Sequence, residues 1–230
     1  MNIQGLQKLT LLDFPGRTAC TLFTGGCNLR CPFCHNVPLV LDPAGDAPFS
    51  EAEIFSFLAK RRGVLDGVAV TGGEPLLQKD LPDFLRKVKA AGFLVKVDTN
   101  GFFPERLGGL LKEKLVDYVA MDVKNSPEKY AETCGVPGLD IAPAEESVRL
   151  LLESGIDFEF RTTVIAEFHH VSDIETIARW IAGAPHYYLQ AFKDSGILKE
   201  GSCTAPAEET LRAMQAAAAP FVREAGIRGI

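Results

Sequence analysis

The sequence contains no long apolar run and no excess of positive charge. No stretch approaches the ~18 consecutive apolar residues of a membrane-spanning helix, so we expect no transmembrane segment. Lys and Arg together number 24, against 30 Asp and Glu, which gives a net charge of −6. Because nucleic-acid-binding domains usually carry a basic surface, this balance argues against a nucleic-acid partner.

The N-terminus also lacks the features of a secretory signal. "MNIQGLQKLTL" has no basic segment followed by an apolar one, so we expect a cytoplasmic protein. Thiols stay reduced in that compartment, and clustered cysteines there usually indicate metal binding or catalysis rather than disulfides. No internal repeat or linker is visible, and 230 residues predict a single domain over 1–230.

Short apolar strands alternate with amphipathic helices along the chain. Six segments are rich in β-forming residues and bounded by turn residues: 18–24, 67–71, 93–99, 117–123, 157–164 and 187–192. Helices are predicted within 50–63, 80–92, 143–155, 172–183 and 206–226, the last one bent or interrupted at Pro220. Six β-then-α units predict an α/β fold with parallel strands, as a doubly wound sheet or a barrel. Residues 3–17 predict an extra hairpin or edge strand.

Unusual polar motifs mark the ends of these predicted strands. The first strand leads into "TGGCNLRCPFCHN" at 24–36, and the later strands carry "TGGEP", "DTNG", "MDVK", "RTTV" and "LQAF" in that order. Ligands of parallel α/β folds bind at the C-terminal edge of the sheet, because the βα loops converge there. The motifs therefore predict one functional site.

Three of the six cysteines form a C-x3-C-x2-C motif, namely Cys27, Cys31 and Cys34. A structural zinc ion would need a fourth ligand, and His35 is awkward in that role because it directly follows Cys34. An iron–sulfur cluster fits three cysteines better, since one iron then keeps an open coordination position for a substrate.

Other polar residues allow both structural and functional interpretations. The two glycines of "TGGEP" permit close approach of the backbone to a ligand, and Glu74 can meet an ammonium group. Asp122 and Lys124 alternate along a strand, so both point to the same side and need polar partners if buried. Several residues are interpreted as structural or solvent-facing: Cys20 in the core, Cys134 and Cys203 as ordinary thiols, and His169, His170 and residues 60–62 at the surface.

Taken together, the cysteine motif, Phe33 before its last cysteine, and "GGEP" at 72–75 resemble the radical S-adenosylmethionine (SAM) superfamily. The order "CHN", "DTNG", "MDVK" and "RTT" is similar to its glycyl-radical-enzyme activases, and most of all to those of anaerobic ribonucleoside-triphosphate reductase. The resemblance runs from "LTLLDFPG" to "LQAF". Some activases carry a cysteine-rich insert, which this chain lacks. It implies a partial, open (β/α)6 barrel with a short N-terminal hairpin.

The resemblance also implies cofactors, site residues and partners. A 4Fe–4S cluster would be held by Cys27, Cys31 and Cys34, with SAM at its open iron. The implied SAM contacts are Phe33 through its backbone, Gly72, Gly73, Glu74, Asp98, Thr99, Asp122, Lys124 and Arg161. Reductive cleavage of SAM would give a 5′-deoxyadenosyl radical that takes a Cα hydrogen from a glycine of the partner enzyme. The implied electron donor is of flavodoxin or ferredoxin type.

Two other functions remain open from the sequence. A radical SAM enzyme acting on a small molecule, similar to 7-carboxy-7-deazaguanine synthases, would carry the same cluster motif but is expected to continue "CxxCD-T" rather than "CHN". A non-enzymatic adaptor would bind zinc without sulfide and would not bind SAM. This chain is also longer than the compact ribonucleotide reductase activases, which leaves the identity of the partner open.

Overall fold

The structure is a computed structural model that describes residues 1–41, 48–194 and 203–230. Within these residues eight strands follow one another along the sheet in chain order: β1 Ile3–Thr10, β2 Ala19–Thr24, β3 Gly67–Gly72, β4 Leu94–Thr99, β5 Tyr118–Asp122, β6 Asp157–Val164, β7 Tyr187–Ala191 and β8 Ala225–Arg228. The same residues contain eight α-helices: α1 Val37–Leu41, α2 Glu51–Ala59, α3 Leu81–Ala90, α4 Pro104–Lys112, α5 Tyr130–Thr133, α6 Ala142–Glu153, α7 Val171–Trp180 and α8 Glu208–Ala218. None of the helices in the described ranges is long and apolar enough to cross a bilayer.

The predicted α/β class is confirmed, and all six predicted β segments are strands. The sheet is open, with β1 and β8 at the two ends of its strand order. The predicted N-terminal hairpin is also confirmed, because β1 runs antiparallel to β2 with Ile3 opposite Thr24 and Thr10 opposite Ala19.

The chain divides into two compact units, of which the first holds residues 1–28, 36–99 and 105–119. Its strands β2, β3 and β4 are parallel, and these strands and helices α2 and α3 all carry buried apolar side chains. Phe84 and Val88 of α3 are fully buried, and burial of each such side chain stabilises the fold by about 1.5–3 kcal/mol. A capping box of Ser50 and Glu53 begins α2, and Gly92 follows α3 with the positive φ of 91° that a left-handed helix end requires.

The second unit holds residues 29–35, 100–104 and 120–230. Here β6, β7 and β8 are parallel neighbours. Helices α6 and α7 are followed by Gly155 and Gly183 at φ 70° and 89°, which confirms the predicted helix ends. The single domain over 1–230 stays a prediction.

The C-terminal segment differs from its prediction. A helix was predicted over 206–226, bent or interrupted at Pro220. The interruption is confirmed, because α8 ends at Ala218, but the chain does not resume a helix and instead forms β8 against β7 with Gln190 opposite Arg228. Pro220 has no N–H to continue the helix, and Gly226 suits the strand because a Cβ there would lie 2.6 Å from the Tyr188 ring. Helix α4 was not predicted, since its "LGG" sequence carries two poor helix formers.

Candidate functional site

The cysteine loop connects β2 to α1 without regular secondary structure. Cys27, Cys31 and Cys34 are each partly exposed, and none of the six cysteines, all of which lie in the described residues, is in a disulfide. The backbone turns tightly where the Cys34 N–H donates to the Cys31 carbonyl at 3.1 Å. In the part of the chain that the structure describes, no three His, Cys, Asp or Glu side chains are grouped to hold a metal ion. The donors fit an iron–sulfur cluster by their chemistry, because they are three accessible thiols.

Cys31 contacts a second thiol that the sequence did not assign to the site. A hydrogen bond with Cys134 lowers the pKa of Cys31 to about 7; burial opposes this, and the charge of Lys124 assists it. The backbones are joined as well, since the Arg30 N–H donates to the Cys134 carbonyl at 3.0 Å. Cys134 is fully buried, as expected of an ordinary thiol, but it is also the neighbour of a predicted ligand.

The glycine loop, residues 72–75, follows β3 and packs against the chain that leads into Cys27. Gly72 has φ 113°, and a Cβ on it would lie 2.4 Å from the Thr24 nitrogen. A Cβ on Gly73 would lie 2.0 Å from the Gly26 carbonyl oxygen, far inside contact distance. Both glycines are therefore required by backbone packing, whatever they contact in a ligand.

Glu74 and Thr99, both predicted site residues, are brought together. Glu74 is fully buried, and its carboxylate accepts hydrogen bonds from the Leu76 N–H and the Thr99 hydroxyl, both at 2.9 Å. Asp98 forms an ion pair with the buried Lys96, two residues earlier on β4. Sequence reasoning missed Lys96, although its alternation with Asp98 along the strand was a usable signal.

Asp122, Lys124 and Arg161 also come together, as the strand alternation predicted for the first two. Lys124 Nζ lies 2.9 Å from Asp122 Oδ2, and Arg161 Nε lies 3.0 Å from Asp122 Oδ1. Burial raises the pKa of the Asp122 carboxyl, but Arg161 and Lys124 outweigh it and hold that pKa well below its usual range. Burial lowers the pKa of Lys124, but Asp122 and Cys31 outweigh it and raise that pKa. Both groups of the pair are therefore charged at neutral pH.

Two more charged residues extend this group into a charge network, defined here as Asp122, Lys124, Glu159, Arg161 and Arg228. Glu159 is only 1% exposed and accepts two hydrogen bonds from Arg228, both at 2.8 Å. Arg161 Nη1 lies 4.0 Å from Glu159 Oε1. Sequence reasoning missed Glu159 and Arg228. The alternation of Glu159 with Arg161 on β6 could have identified the first of them.

Phe33, whose backbone was predicted near the SAM adenine, has a buried side chain. Its ring packs at 6.1 Å from the Phe168 ring, in a cluster that also contains Ile165, Phe192 and Cys203. The ring is therefore part of the core. Cys203 shares this core, which agrees with its interpretation as an ordinary thiol.

His169 corrects the prediction of a surface residue. Its side chain is buried; Nε2 lies 2.8 Å from the Lys124 carbonyl, and Nδ1 accepts from the Ile165 N–H at 3.1 Å. Burial lowers the pKa of His169, and hydrogen bonds to backbone carbonyls only partly oppose it. The neutral imidazole thus fixes the backbone beside Lys124. His170 and residues 60–62 are exposed, as predicted.

Known proteins resemble the chain over half of its length or more. The family described as the Radical SAM superfamily matches residues 21–181. A Methanocaldococcus jannaschii protein, provisionally named a glycyl-radical enzyme activating enzyme, is 33% identical over 99% of this chain and 96% of its own length. The pyruvate formate-lyase-activating enzyme of Clostridium pasteurianum is 34% identical over 54% of this chain and 52% of its own length.

Solved structures share the fold at lower identity. A domain of a pyruvate-formate lyase-activating enzyme from Bacteroides vulgatus aligns with a TM-score of 0.57 and 21% identity, over 71% of this chain and 99% of that one. Streptococcus suis SuiB bound to S-adenosylmethionine aligns with a TM-score of 0.66 and 16% identity, over 89% and 48%. These similarities confirm the radical SAM partial-barrel fold.

The family determines the cofactors and the kind of protein. Radical SAM enzymes use a 4Fe–4S cluster and S-adenosylmethionine, so both predicted cofactors are confirmed, and the chain is an enzyme rather than a zinc-binding adaptor. The matched activating enzymes are named for their action on glycyl-radical enzymes or on pyruvate formate-lyase. This chain belongs to the radical SAM superfamily and, within it, to the glycyl-radical-enzyme activating enzymes.

Proposed function

We propose that the chain generates the glycyl radical of an anaerobic ribonucleoside-triphosphate reductase. The observation that carries the proposal is the run of "CHN", "DTNG", "MDVK" and "RTT" in activase order, in a chain that matches an activase-like relative over nearly its full length. A flavodoxin or ferredoxin would supply the electron. The reaction would take place in the cytoplasm, where the cysteine loop stays reduced.

Cys27, Cys31 and Cys34 would hold the cluster, with the thiolates that iron requires. When bound, the cluster and SAM supply a 5′-deoxyadenosyl radical, the species that removes a hydrogen atom from the substrate. The low pKa of the Cys31 thiol, about 7, supports its role as a ligand, because a thiolate rather than a thiol binds the metal.

The proposed SAM contacts include Gly72 and Gly73 of the glycine loop and, separately, Asp122, Lys124 and Arg161 of the charge network. SAM carries a carboxylate and an ammonium group, and fixed charges of both signs at Asp122, Lys124 and Arg161 suit such a ligand. The missing Cβ atoms of Gly72 and Gly73 let the glycine loop pack on the backbone of Thr24 and Gly26, which fixes the loop backbone proposed to contact SAM.

The remaining proposed SAM contacts are Glu74, Asp98, Thr99 and Phe33. Glu74 and Thr99 bond to each other, so they would act first by fixing the ends of β3 and β4. Asp98 would contact SAM from the end of β4, beside Lys96. Because the Phe33 ring is buried, its backbone is the part proposed to meet the adenine.

The glycine-bearing segment of the partner would enter a cavity at the C-terminal ends of β6, β7 and β8. The cavity has a volume of about 440 Å³, and Thr163, Gln190 and Lys193 are among its lining residues. Such side chains can pair with the N–H and C=O groups of an extended peptide. Glycine suits this reaction because no Cβ hinders approach to Cα, and the flanking amide groups delocalise the unpaired electron.

Electron paramagnetic resonance tests the proposal. Reduced, cluster-loaded protein is mixed with SAM and an anaerobic ribonucleoside-triphosphate reductase, and a glycine-centred doublet is expected together with 5′-deoxyadenosine. Cys27→Ala should abolish both products. Lys193→Glu, at the cavity, should reduce the radical yield and leave the SAM affinity unchanged.

Other results would identify a different function. A doublet in another glycyl-radical enzyme, but not in the reductase, would keep the activase and change its partner. If SAM is cleaved and no candidate partner gains a glycyl radical, the activase assignment fails. A small-molecule enzyme similar to 7-carboxy-7-deazaguanine synthases would then take its place.

A further inference from the structure

We propose that Arg228, on the C-terminal strand β8, is a positioning residue for the SAM site. It neutralises the buried Glu159, so that Arg161 bonds Asp122 rather than Glu159. The inference rests on the proposed roles of Asp122 and Arg161 in binding SAM. Arg228 itself lies outside every motif that marks the site in the sequence.

Glu159 is a buried carboxylate that needs a positively charged partner. Its side chain is 1% exposed, and a buried carboxylate requires opposite charge and hydrogen bonds from the protein. Arg228 meets this requirement with both ends of its guanidinium, since Nη1 and Nη2 lie 2.8 Å from the two carboxylate oxygens. Such a paired arrangement is among the strongest that a carboxylate can form.

Arg161 lies between two carboxylates that can compete for it. Residues 159 and 161 share one face of β6, and Arg161 Nη1 is 4.0 Å from Glu159 while its Nε is 3.0 Å from Asp122. The first separation is too long for a hydrogen bond, and the second is not. With Arg228 on Glu159, Arg161 therefore bonds Asp122. Without Arg228, the uncompensated charge of Glu159 would attract Arg161 and weaken its bond to Asp122.

The surroundings hold Arg228 in this position. Its guanidinium carbon lies 3.6 Å above the centre of the Tyr188 ring, and β8 pairs with β7 so that Arg228 is opposite Gln190. Gly226 makes room for that ring, because a Cβ there would lie 2.6 Å from it. Lysine would not reproduce this geometry, since an ammonium group lacks the planar fork that bonds both oxygens.

The test measures SAM binding by anaerobic calorimetry on the full chain with its cluster. Arg228→Gln should raise the SAM Kd about tenfold, in the range of couplings measured within one ion-pair network. Combining it with Glu159→Gln should return the Kd to near the wild-type value, because the competing charge is then gone. Arg228→Lys should give an intermediate Kd. Arg149→Gln, on α6, is the matched control; its exposed ion pairs are with Glu146 and Glu153 of the same helix, and we expect an unchanged Kd.

The double variant separates positioning from general structural damage. An unchanged Kd in Arg228→Gln, or a raised Kd that Glu159→Gln does not restore, would overturn the inference. If Arg228→Gln does not fold, the Arg228→Lys protein decides: a wild-type Kd rejects the proposal and a raised Kd supports it. Asp122→Asn and Arg161→Gln test the underlying SAM site. If they leave the Kd unchanged, the proposed site is wrong; if they raise it while Arg228→Gln does not, only the role of Arg228 is wrong.

Discussion

The glycine loop and the charge network are both proposed to contact SAM, but they are built in opposite ways. In the glycine loop, backbone lies on backbone so closely that a Cβ on Gly73 would be 2.0 Å from the Gly26 oxygen. In the charge network, long side chains cross from strand to strand, and Arg228, Glu159, Arg161, Asp122 and Lys124 alternate in sign.

This difference predicts how each region responds to substitution. The glycine loop depends on shape, so a small added atom displaces backbone and affects the fold before it affects a ligand. The charge network depends on complementary charge, so a substitution of similar size can keep the fold while it changes affinity. Substitutions in the two regions should therefore give different ratios of stability loss to affinity loss.

The largest effect is expected at the three thiols of the cysteine motif. Replacement of Cys27, Cys31 or Cys34 by Ala should abolish iron and sulfide uptake, because each removes one of the three proposed ligands. Cys203→Ala is the matched control and should keep both, as should Cys134→Ala despite its contact with Cys31. Iron and acid-labile sulfide are measured after anaerobic reconstitution. Full iron content in Cys31→Ala protein would refute the assignment.

Gly73→Ala tests the dependence on shape. The added Cβ meets backbone rather than a flexible side chain, so we expect a loss of about 3 kcal/mol in the free energy of unfolding. Gly109→Ala is the control in α4, where a Cβ meets no atom within 4 Å, and it should stabilise the protein by about 0.5–1 kcal/mol. Urea unfolding gives both values. Equal stability of the two variants would contradict the packing argument.

Asp122→Asn and Lys124→Gln test the dependence on charge. Each should weaken SAM binding by ~1.5–3 kcal/mol, as for loss of a charge-assisted hydrogen bond, and leave the iron content unchanged. Anaerobic calorimetry and iron analysis on the same samples are the measurements. If neither variant changes the SAM affinity, the charge network does not bind SAM, and the proposed contrast between dependence on shape and dependence on charge is wrong.

The smallest expected effect concerns His169 and pH. Because the pKa of His169 is lowered in the folded state, folding favours the neutral ring, and its contribution is complete above the unfolded pKa of about 6.5. It is lost as the pH falls from there towards the lowered pKa. His169→Gln should cost about 1 kcal/mol at high pH, through one lost hydrogen bond.

Comparison of the two proteins over a pH range provides the check. The stability difference between wild type and His169→Gln, measured in urea at pH values above and below 6.5, should shrink at the acidic end. A difference that stays constant across this range would show that His169 does not titrate between the folded and unfolded states.

Local pattern was enough to predict the strands and most helix ends. The β-rich segment 157–164 is strand β6 with the same bounds, and Ser50 with Glu53 begins α2, because side-chain period and capping act over a few residues. The pattern was wrong at the C-terminus, where "REAGIR" forms the end strand β8. Pairing with β7, which is distant in sequence, overrides the weak helix signal there.

The sequence by itself determined the chemistry of the site. Three thiols at fixed spacing and a pair of glycines before Glu74 are covalent facts, and they point to the same family as the full-length relatives. Period-2 alternation likewise required Asp122 and Lys124 to share one side of their strand, since this follows from backbone geometry alone.

Only the tertiary structure decided which residues support these groups. Cys134 reaches Cys31, His169 reaches the Lys124 carbonyl, and Arg228 reaches Glu159 across contacts between segments far apart in the chain. The physical reason is the cost of burying polar groups: each must find a partner wherever packing places it, and no local period encodes that choice.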